Sequence, residues 1–407
     1  MKKILLTSIL FTICLQVHSQ WQLTGNSGTS ASTNFIGTID NVAFKIRTKN
    51  VVRVTVTTQG KVGIGLSSPV FKLDVKGGSI NTDSVYRMSG SQVLMAKGSG
   101  NFFAGINSGY FVDPSLGGVS NTALGNYSLY SNTWGQDNTA IGENSLYSNN
   151  GAHNNTAVGA GTMYSNTSGS LNTAIGAYAM NQSNSGYQNV AVGAMSLLNN
   201  AGGGNVALGY DAMYNNTKGG DNVSIGFQSM YYNSTAGNNV AIGRNALLNQ
   251  SYSNGNVYYL TGNVAVGNDA LYNNQPTSNV TGVSNTAIGT ASLYNNSFGF
   301  ENTASGYNAL YGNTGGVFNT GIGSGALYNN ASATRNTAVG KSAGAGYNNG
   351  NYNTFIGSYC DANAASYLNS SAIGDFAQIT ASGQARIGDG GVTSIGGYAG
   401  WTTLPSD

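Results

Sequence analysis

The 407-residue chain carries only 7% charged residues but 60 glycines, 25 tyrosines and 13 phenylalanines. Globular domains hold about 25% charge, and disordered chains pair high charge with few aromatics, so this composition points away from both. The net charge is +2, yet eleven of the sixteen Lys and Arg precede residue 100, and residues 121–374 hold only Lys218, Arg244, Arg335 and Lys341 against seven acids. No basic stripe forms, so nucleic acid is not an expected partner.

Residues 1–19 read as a secretory signal: Lys2 and Lys3, an apolar run from Ile4 to Leu15, and Val17-His18-Ser19 as the cleavage site. The mature chain is then expected to start at Gln20, secreted or at the cell surface, with no transmembrane segment, since the run is short for a bilayer. Cys14 follows Ile13, which is not the small residue a lipidation site wants, and it leaves with the leader. Cys360 remains as a lone thiol, so no intrachain disulfide forms.

Residues 20–76 form a small β-rich region. Its expected strands are Phe35–Thr38, Val42–Arg47, Val52–Thr57 and Val62–Gly65, with a turn at Gln59-Gly60. Residues 77–120 are a Gly/Ser-rich transition in which Asn101–Gly105 resembles a degenerate first coil. Residues 121–374 are the repeat array, and 375–407 leave the repeat.

The array is set by glycines at 125, 142, 159, 176, 193, 209, 226, 243, 267, 289, 306, 323, 340, 357, 374 and 388, eleven of whose fifteen gaps are 17 residues. A fixed short period marks a solenoid in which each repeat is one stacked coil. The fold class is therefore all-β, a parallel β-roll or β-helix solenoid with coils of about 17 residues. Each Gly ends a segment such as Thr139-Ala140-Ile141, which suits a strand. Leu or Met stands at the fourth position after Gly, from Leu129 to Leu327 without a break, and predicts a second short strand. Asn and Gly supply the turns, because both tolerate left-handed backbone. The aliphatic columns, Ile/Val before Gly and Leu/Met after it, are the expected core.

No coil closes alone. Ordering 17 residues costs ~17–34 kcal/mol of backbone entropy, and burying one Ile and one Leu returns ~3–6 kcal/mol. Stacking is compulsory. Because the Ala, Leu and Tyr positions are consecutive, they cannot all face one interior, and apolar demand on two faces implies a homo-oligomer, a trimer by preference.

Asn138-Thr139-Ala140-Ile141-Gly142 and its counterparts resemble the Asn-Ser-Val-Ala-Ile-Gly motif in the heads of trimeric autotransporter adhesins. That resemblance spans nearly all of 121–374 and implies a trimeric parallel β-roll that binds host or matrix surfaces. The coil here is longer than that family's usual one, and its barrel anchor and stalk have no counterpart. Trp21–Asn26, Asn34–Thr38, Gly60–Gly65 and Arg386–Trp401 resemble exported tail-fibre-like proteins of the Bacteroidetes group. In those proteins such a tail leads into an intramolecular chaperone, which the resemblance leads us to expect is missing after Ser406-Asp407. Ser406 lacks the basic partner that would make it catalytic.

The inventory for catalysis is thin. His153 is the only histidine after the leader and sits among turn residues; Cys360 lies about eleven coils further on, ~50 Å at ~4.8 Å per coil. No Cys-His pair and no zinc set follows, and no cofactor is expected. Asp137 with Glu143, and Asp211 with Asp221, are the nearest acid pairs, but both surround surface turns with no repeated acid column. A non-enzymatic surface adhesin or fibre shaft is expected, with a purely structural spacer as the alternative. A glycan-processing solenoid fits less well, and so does an ice-binding one. The Thr column (Thr122, Thr139, Thr156, Thr173, then Thr286 to Thr354) is interrupted by Val190, Val206, Val223, Val240 and Val264.

Two features offer binding to surface glycans or host and matrix proteins. Tyr recurs five positions after Gly, at 130, 147, 164, 214, 231, 272, 294, 311 and 328, either as a sugar-stacking column or as a packing ladder. The two long gaps add loops, the first holding Tyr252, Tyr258, Tyr259 and Leu260, the second Pro276 and Val280. Insertions in solenoids collect on one face, often the binding face.

Overall fold

The computed structural model describes residues 28–30, 32, 34–77, 85–88, 90–346 and 350–395. The leader, Trp21–Asn26, and the stretch holding Tyr398, Trp401 and Ser406 lie outside them. The chain divides into two units, Met1–Thr82 and Asp83–Asp407.

In the first unit, β1 (Phe44–Thr48), β2 (Val51–Val56) and β3 (Val62–Ile64) form an antiparallel meander, and β4 (Leu73–Val75) adds to β3 in parallel. The expected strands over 42–47, 52–57 and 62–65 are present to within two residues. Phe35–Thr38 is not a strand but a bend and coil segment.

In the second unit, β5 (Val85–Met88) and β6 (Ser91–Met95) make an antiparallel hairpin laid on β7 (Phe102–Ala104), which pairs in parallel with β8 (Thr122–Leu124). The hairpin covers the backbone edge that the first coil would otherwise expose. From β7 onward seventeen parallel three-residue strands stack in register, ending at Ala385–Ile387. Thr156 pairs with Thr173, Ala157 with Ala174, Val158 with Ile175, and so on along the array. Among the described residues this is a parallel β-solenoid with one coil per repeat.

Two details differ from the sequence expectation. The segment after Gly is not a second strand. All twelve Leu and Met of that column are left-handed, with φ between 48° and 53°. Such backbone costs ~1–2 kcal/mol for a residue with a Cβ, but each of these side chains is fully buried, which returns ~1.5–3 kcal/mol. Burial wins. The coil-to-coil bonds continue through the turn, as in Leu146 N–H to Thr162 O at 3.0 Å.

The second difference concerns the core. A three-residue strand shows its middle side chain to one face and its outer two to the other. The buried residue is the central Ala, as in Ala140, Ala157 and Ala174, packed against the Leu/Met column. The Ile/Val/Leu column before Gly faces out, with Leu124 49%, Ile175 41% and Ile288 46% exposed. Where the central residue is Phe, a glycine in the Leu position makes room. Phe103 fills the space of Gly109, and Phe355 that of Gly344, where an added Cβ would lie 2.6 and 2.7 Å from the rings.

The remaining interior is amide. Asn121, Asn138, Asn155 and Asn172 stand four residues before Gly and are buried. The Oδ1 of Asn138 accepts from both the backbone N–H and the Nδ2 of Asn155, at 3.0 and 3.2 Å, and the pattern repeats coil after coil. A second ladder runs through Asn132, Asn149 and Asn166, where Asn149 Nδ2 donates to Asn132 Oδ1 at 2.8 Å. Both ladders converge on one carbonyl per coil: Ala152 O accepts from Asn138 and from Asn149. None of these Asn is left-handed, so they hold the coils together rather than bend the chain.

The second ladder breaks at Ser183 and Gln250, and the orphaned acceptors lie next to the breaks: Asn166 Oδ1 and Asn233 Oδ1 are buried without a hydrogen-bond partner, as is Ser183 Oγ. Ser183→Asn restores a donor for Asn166 and an acceptor for Asn200. An unsatisfied buried polar group costs ~1–3 kcal/mol. The substitution is expected to raise unfolding stability by about that amount, read as a higher denaturant midpoint; an unchanged or lower midpoint counts against the ladder account.

Candidate functional site

Three features lie outside the core, two of them ordered arrays that run along the coils and the third a pair of insertions. The first is the outward aliphatic row, running along the array from Leu124 through Ile141, Ile175, Ile242 and Ile322 to Ile373. The Thr/Val positions beside it are half-buried or exposed. The row is interrupted by Ser305 and is half-buried at Val158, Val192, Ile225 and Val266, yet an outward apolar strip of this length is unusual for a chain with no partner.

The second is the tyrosine column, which forms face-to-face stacks. Tyr130, Tyr147 and Tyr164 follow at 5.0 and 4.9 Å between ring centroids, with Tyr110 capping the start at 5.6 Å. Tyr214 stacks on Tyr231 at 5.0 Å, and Tyr272, Tyr294, Tyr311 and Tyr328 form a run at 4.9, 5.1 and 5.1 Å. The ring spacing is the coil spacing. A ring with neighbours on both faces offers only its edge, so the column is first a packing ladder. The column is interrupted at Asn181, Leu198, Leu248 and Ala345, where no ring continues the stack. Burial, then the neighbouring rings, raises the phenol pKa of Tyr147.

The third is the pair of inserted loops. The first loop does not project. Tyr259-Leu260 pairs in parallel with Ala236-Gly237 as an added two-stranded ladder. Tyr258 lies over Gly237 and Gly220, where an added Cβ on Gly220 would sit 3.6 Å from its ring. Tyr259 is buried, its phenol pKa raised by that burial, and it packs edge-on to the half-buried Tyr252 at 5.6 Å between centroids. In the second loop Pro276 is buried and Val280 exposed. Of the five residues singled out in the sequence, only Tyr258 and Leu260 present a substantial surface, at 39% and 60% exposure.

The chemistry-bearing groups are dispersed. His153 is half-buried, its Nδ1 accepting from the Gln136 backbone N–H at 3.1 Å and its ring edge-on to Trp134 at 5.2 Å. Cys360 is buried in the small-residue column, and burial, then Asp361, pushes its thiol up to about 11. Asp211 is buried with Oδ1 lacking a partner, and burial raises its pKa. Three of the array's four cations lie on rings: Arg335 stands 5.2 Å from Phe318 and 5.5 Å from Tyr352, Arg244 5.8 Å from Phe227, and Lys341 5.2 Å from Tyr359.

One hollow of about 300 Å³ opens on the tyrosine face, where the first stack ends. It is lined by Glu143 and Asn144 of one coil, Ala160, Gly161 and Tyr164 of the next, and Tyr178 and Asn181 of the third. Gly161 lets the Tyr178 ring pack against its backbone at the edge of the hollow, where an added Cβ would meet that ring at 2.9 Å. Asn181 donates Nδ2 to Gly161 O at 2.6 Å, holding its amide beside Tyr164. In the first unit a separate open groove of about 510 Å³ lies between residues 36–44 and 56–58. No helix among the described residues is long and apolar enough to cross a membrane. A scan against protein-family models and a search of curated proteins each return no match to this chain.

Proposed function

We propose that the chain is a non-enzymatic, exported surface adhesin or fibre shaft that works as a homotrimer of parallel β-solenoids. The observation that carries this reading is the outward aliphatic row. Its side chains repeat once per coil, so the partner that matches it along its whole length is one with the same ~4.8 Å period, which another copy of this chain supplies. Export rests on the leader pattern of residues 1–19. The non-enzymatic reading rests on the dispersal of His153, Cys360 and the acids along the axis.

The spacer reading keeps one observation in its favour: the inserted loops are folded back, with Tyr259 and Pro276 buried. Light scattering on the purified chain tests assembly, with three chain masses expected and a monomer refuting it. Replacing residues 249–262 and 275–283 by regular 17-residue coils separates the two readings. Reduced attachment to cells or mucin-coated plates supports loop-borne adhesion, whereas no attachment by the unaltered chain leaves the spacer.

A further inference from the structure

We propose that the hollow at the end of the first tyrosine stack binds a neutral saccharide residue. The proposal rests on the adhesive reading above and gives it a ligand class and a location on the coil face instead of the loops. Tyr130 and Tyr147 are covered on both faces by neighbouring rings. Tyr164 is covered on one face, by Tyr147 at 4.9 Å, and meets Asn181 rather than a ring in the next coil. It is 37% exposed, and Tyr178 beside it is 49% exposed. The two rings border a floor of Ala160 and Gly161, where the absent Cβ of Gly161 is what admits the Tyr178 ring.

The polar groups around that floor define the ligand. The Glu143 carboxylate accepts hydrogen bonds from hydroxyls, and Asn144 and Asn181 bring amides that donate and accept. A pyranose combines an apolar C–H face, which lies on an aromatic ring, with equatorial hydroxyls that reach such rim groups. No Lys or Arg occurs between residues 98 and 217, so a carboxylate beside an uncompensated site disfavours uronates and sialylated sugars. A hollow of about 300 Å³ accommodates one or two sugar rings. A quaternary ammonium, which wants rings closing around it, fits this open, floor-and-wall shape less well.

Titration calorimetry of the full chain with chitopentaose, cellopentaose and xylopentaose tests the site, with oligogalacturonate and tetramethylammonium as the contrasting probes. At least one neutral pentasaccharide is expected to bind in the micromolar to millimolar range. Tyr164→Ala and Glu143→Gln are each expected to weaken it about tenfold, the equivalent of 1.4 kcal/mol. Tyr164→Phe, which keeps the ring and the stack, retains most of the affinity and controls for misfolding. Tyr311→Ala, at a ring covered on both faces, leaves binding unchanged.

The proposal is overturned if the unaltered chain binds none of the three neutral probes. It is equally overturned if Tyr164→Ala and Glu143→Gln bind as the parent does, or if only the acidic or cationic probe is taken up. Attachment to cells, scored in parallel, is a separate readout. Saccharide binding lost in Tyr164→Ala while attachment persists keeps the site and moves adhesion elsewhere. Saccharide binding by a chain that attaches to nothing keeps the site and removes the adhesive reading.

Discussion

Gly306→Ala is expected to disrupt the array locally and to split its unfolding into separate transitions. Gly306 sits at φ +136°, a region closed to residues with a side chain, and a Cβ there would lie 2.6 Å from both the carbonyl carbon and oxygen of Gly323 in the next coil. Those atoms are backbone already committed to the ladder, so no side chain can swing away. Relief requires parting two coils, which breaks bonds such as Gly323 N–H to Ser305 O at 2.7 Å. Backbone strain costs ~1–3 kcal/mol and overpacking a comparable amount, so a loss of ~3–5 kcal/mol is expected. In a stack where each coil touches only its neighbours, such a break uncouples the segments on either side. Far-UV circular dichroism during denaturant unfolding therefore changes from one transition to two, whereas the exposed Gly383→Ala, with open space around its Cβ, gives only a shift of ~1 kcal/mol. A single unshifted transition for Gly306→Ala removes the close-approach account of the glycine column.

The period, the parallel stacking and the fully buried Leu/Met column are all legible in the sequence, because they depend only on spacing. The direction of the Ile column is not. A strand of three residues is too short for alternation to announce its parity, and the larger Ile draws the expectation of burial although the central Ala is the inward residue. The left-handed Leu and Met run against ordinary propensity, since their conformation is forced by the coil and stabilised by burial. The asparagines were visible as turn-formers, but two of the columns are interior hydrogen-bond ladders. The signal for the first of these is its regularity: turn positions tolerate Gly, Ser and Asp, whereas the column four residues before Gly stays Asn from Asn121 to Asn353. At the candidate site, the Tyr column was legible and its interruption at Asn181 was countable. That Tyr178 packs on Gly161 and borders a hollow beside that interruption depends on how successive coils stack, which spacing alone does not reveal.

The second large effect belongs to that Asn column. Asn155→Ala is expected to cost ~3 kcal/mol or more, although it removes only a small polar side chain. Asn155 Oδ1 accepts from the backbone N–H of Asn172 at 3.1 Å and from its Nδ2 at 3.2 Å, while Asn155 Nδ2 donates to Gly169 O at 2.9 Å. Gly169 O keeps a second donor in Asn166 Nδ2, and Asn138 Oδ1 keeps the Asn155 backbone N–H. The Asn172 N–H keeps nothing. A stranded buried donor costs ~1–3 kcal/mol, the other lost bonds add ~1 kcal/mol each, and the vacated volume adds a cavity term. An apolar interior there would need both partners replaced, which a single change cannot do. Amide hydrogen exchange locates the effect: the Asn172 N–H and the rungs at Thr156–Val158 and Thr173–Ile175 should lose protection first, with the rungs near Thr320–Ile322 unaffected. Gln136→Ala, on an exposed side chain of the adjoining coil, should fall within ~0.5 kcal/mol of the parent. If Asn155→Ala matches it, the amide ladder is ornament and the coils are held by backbone bonds and the Ala and Leu/Met core alone.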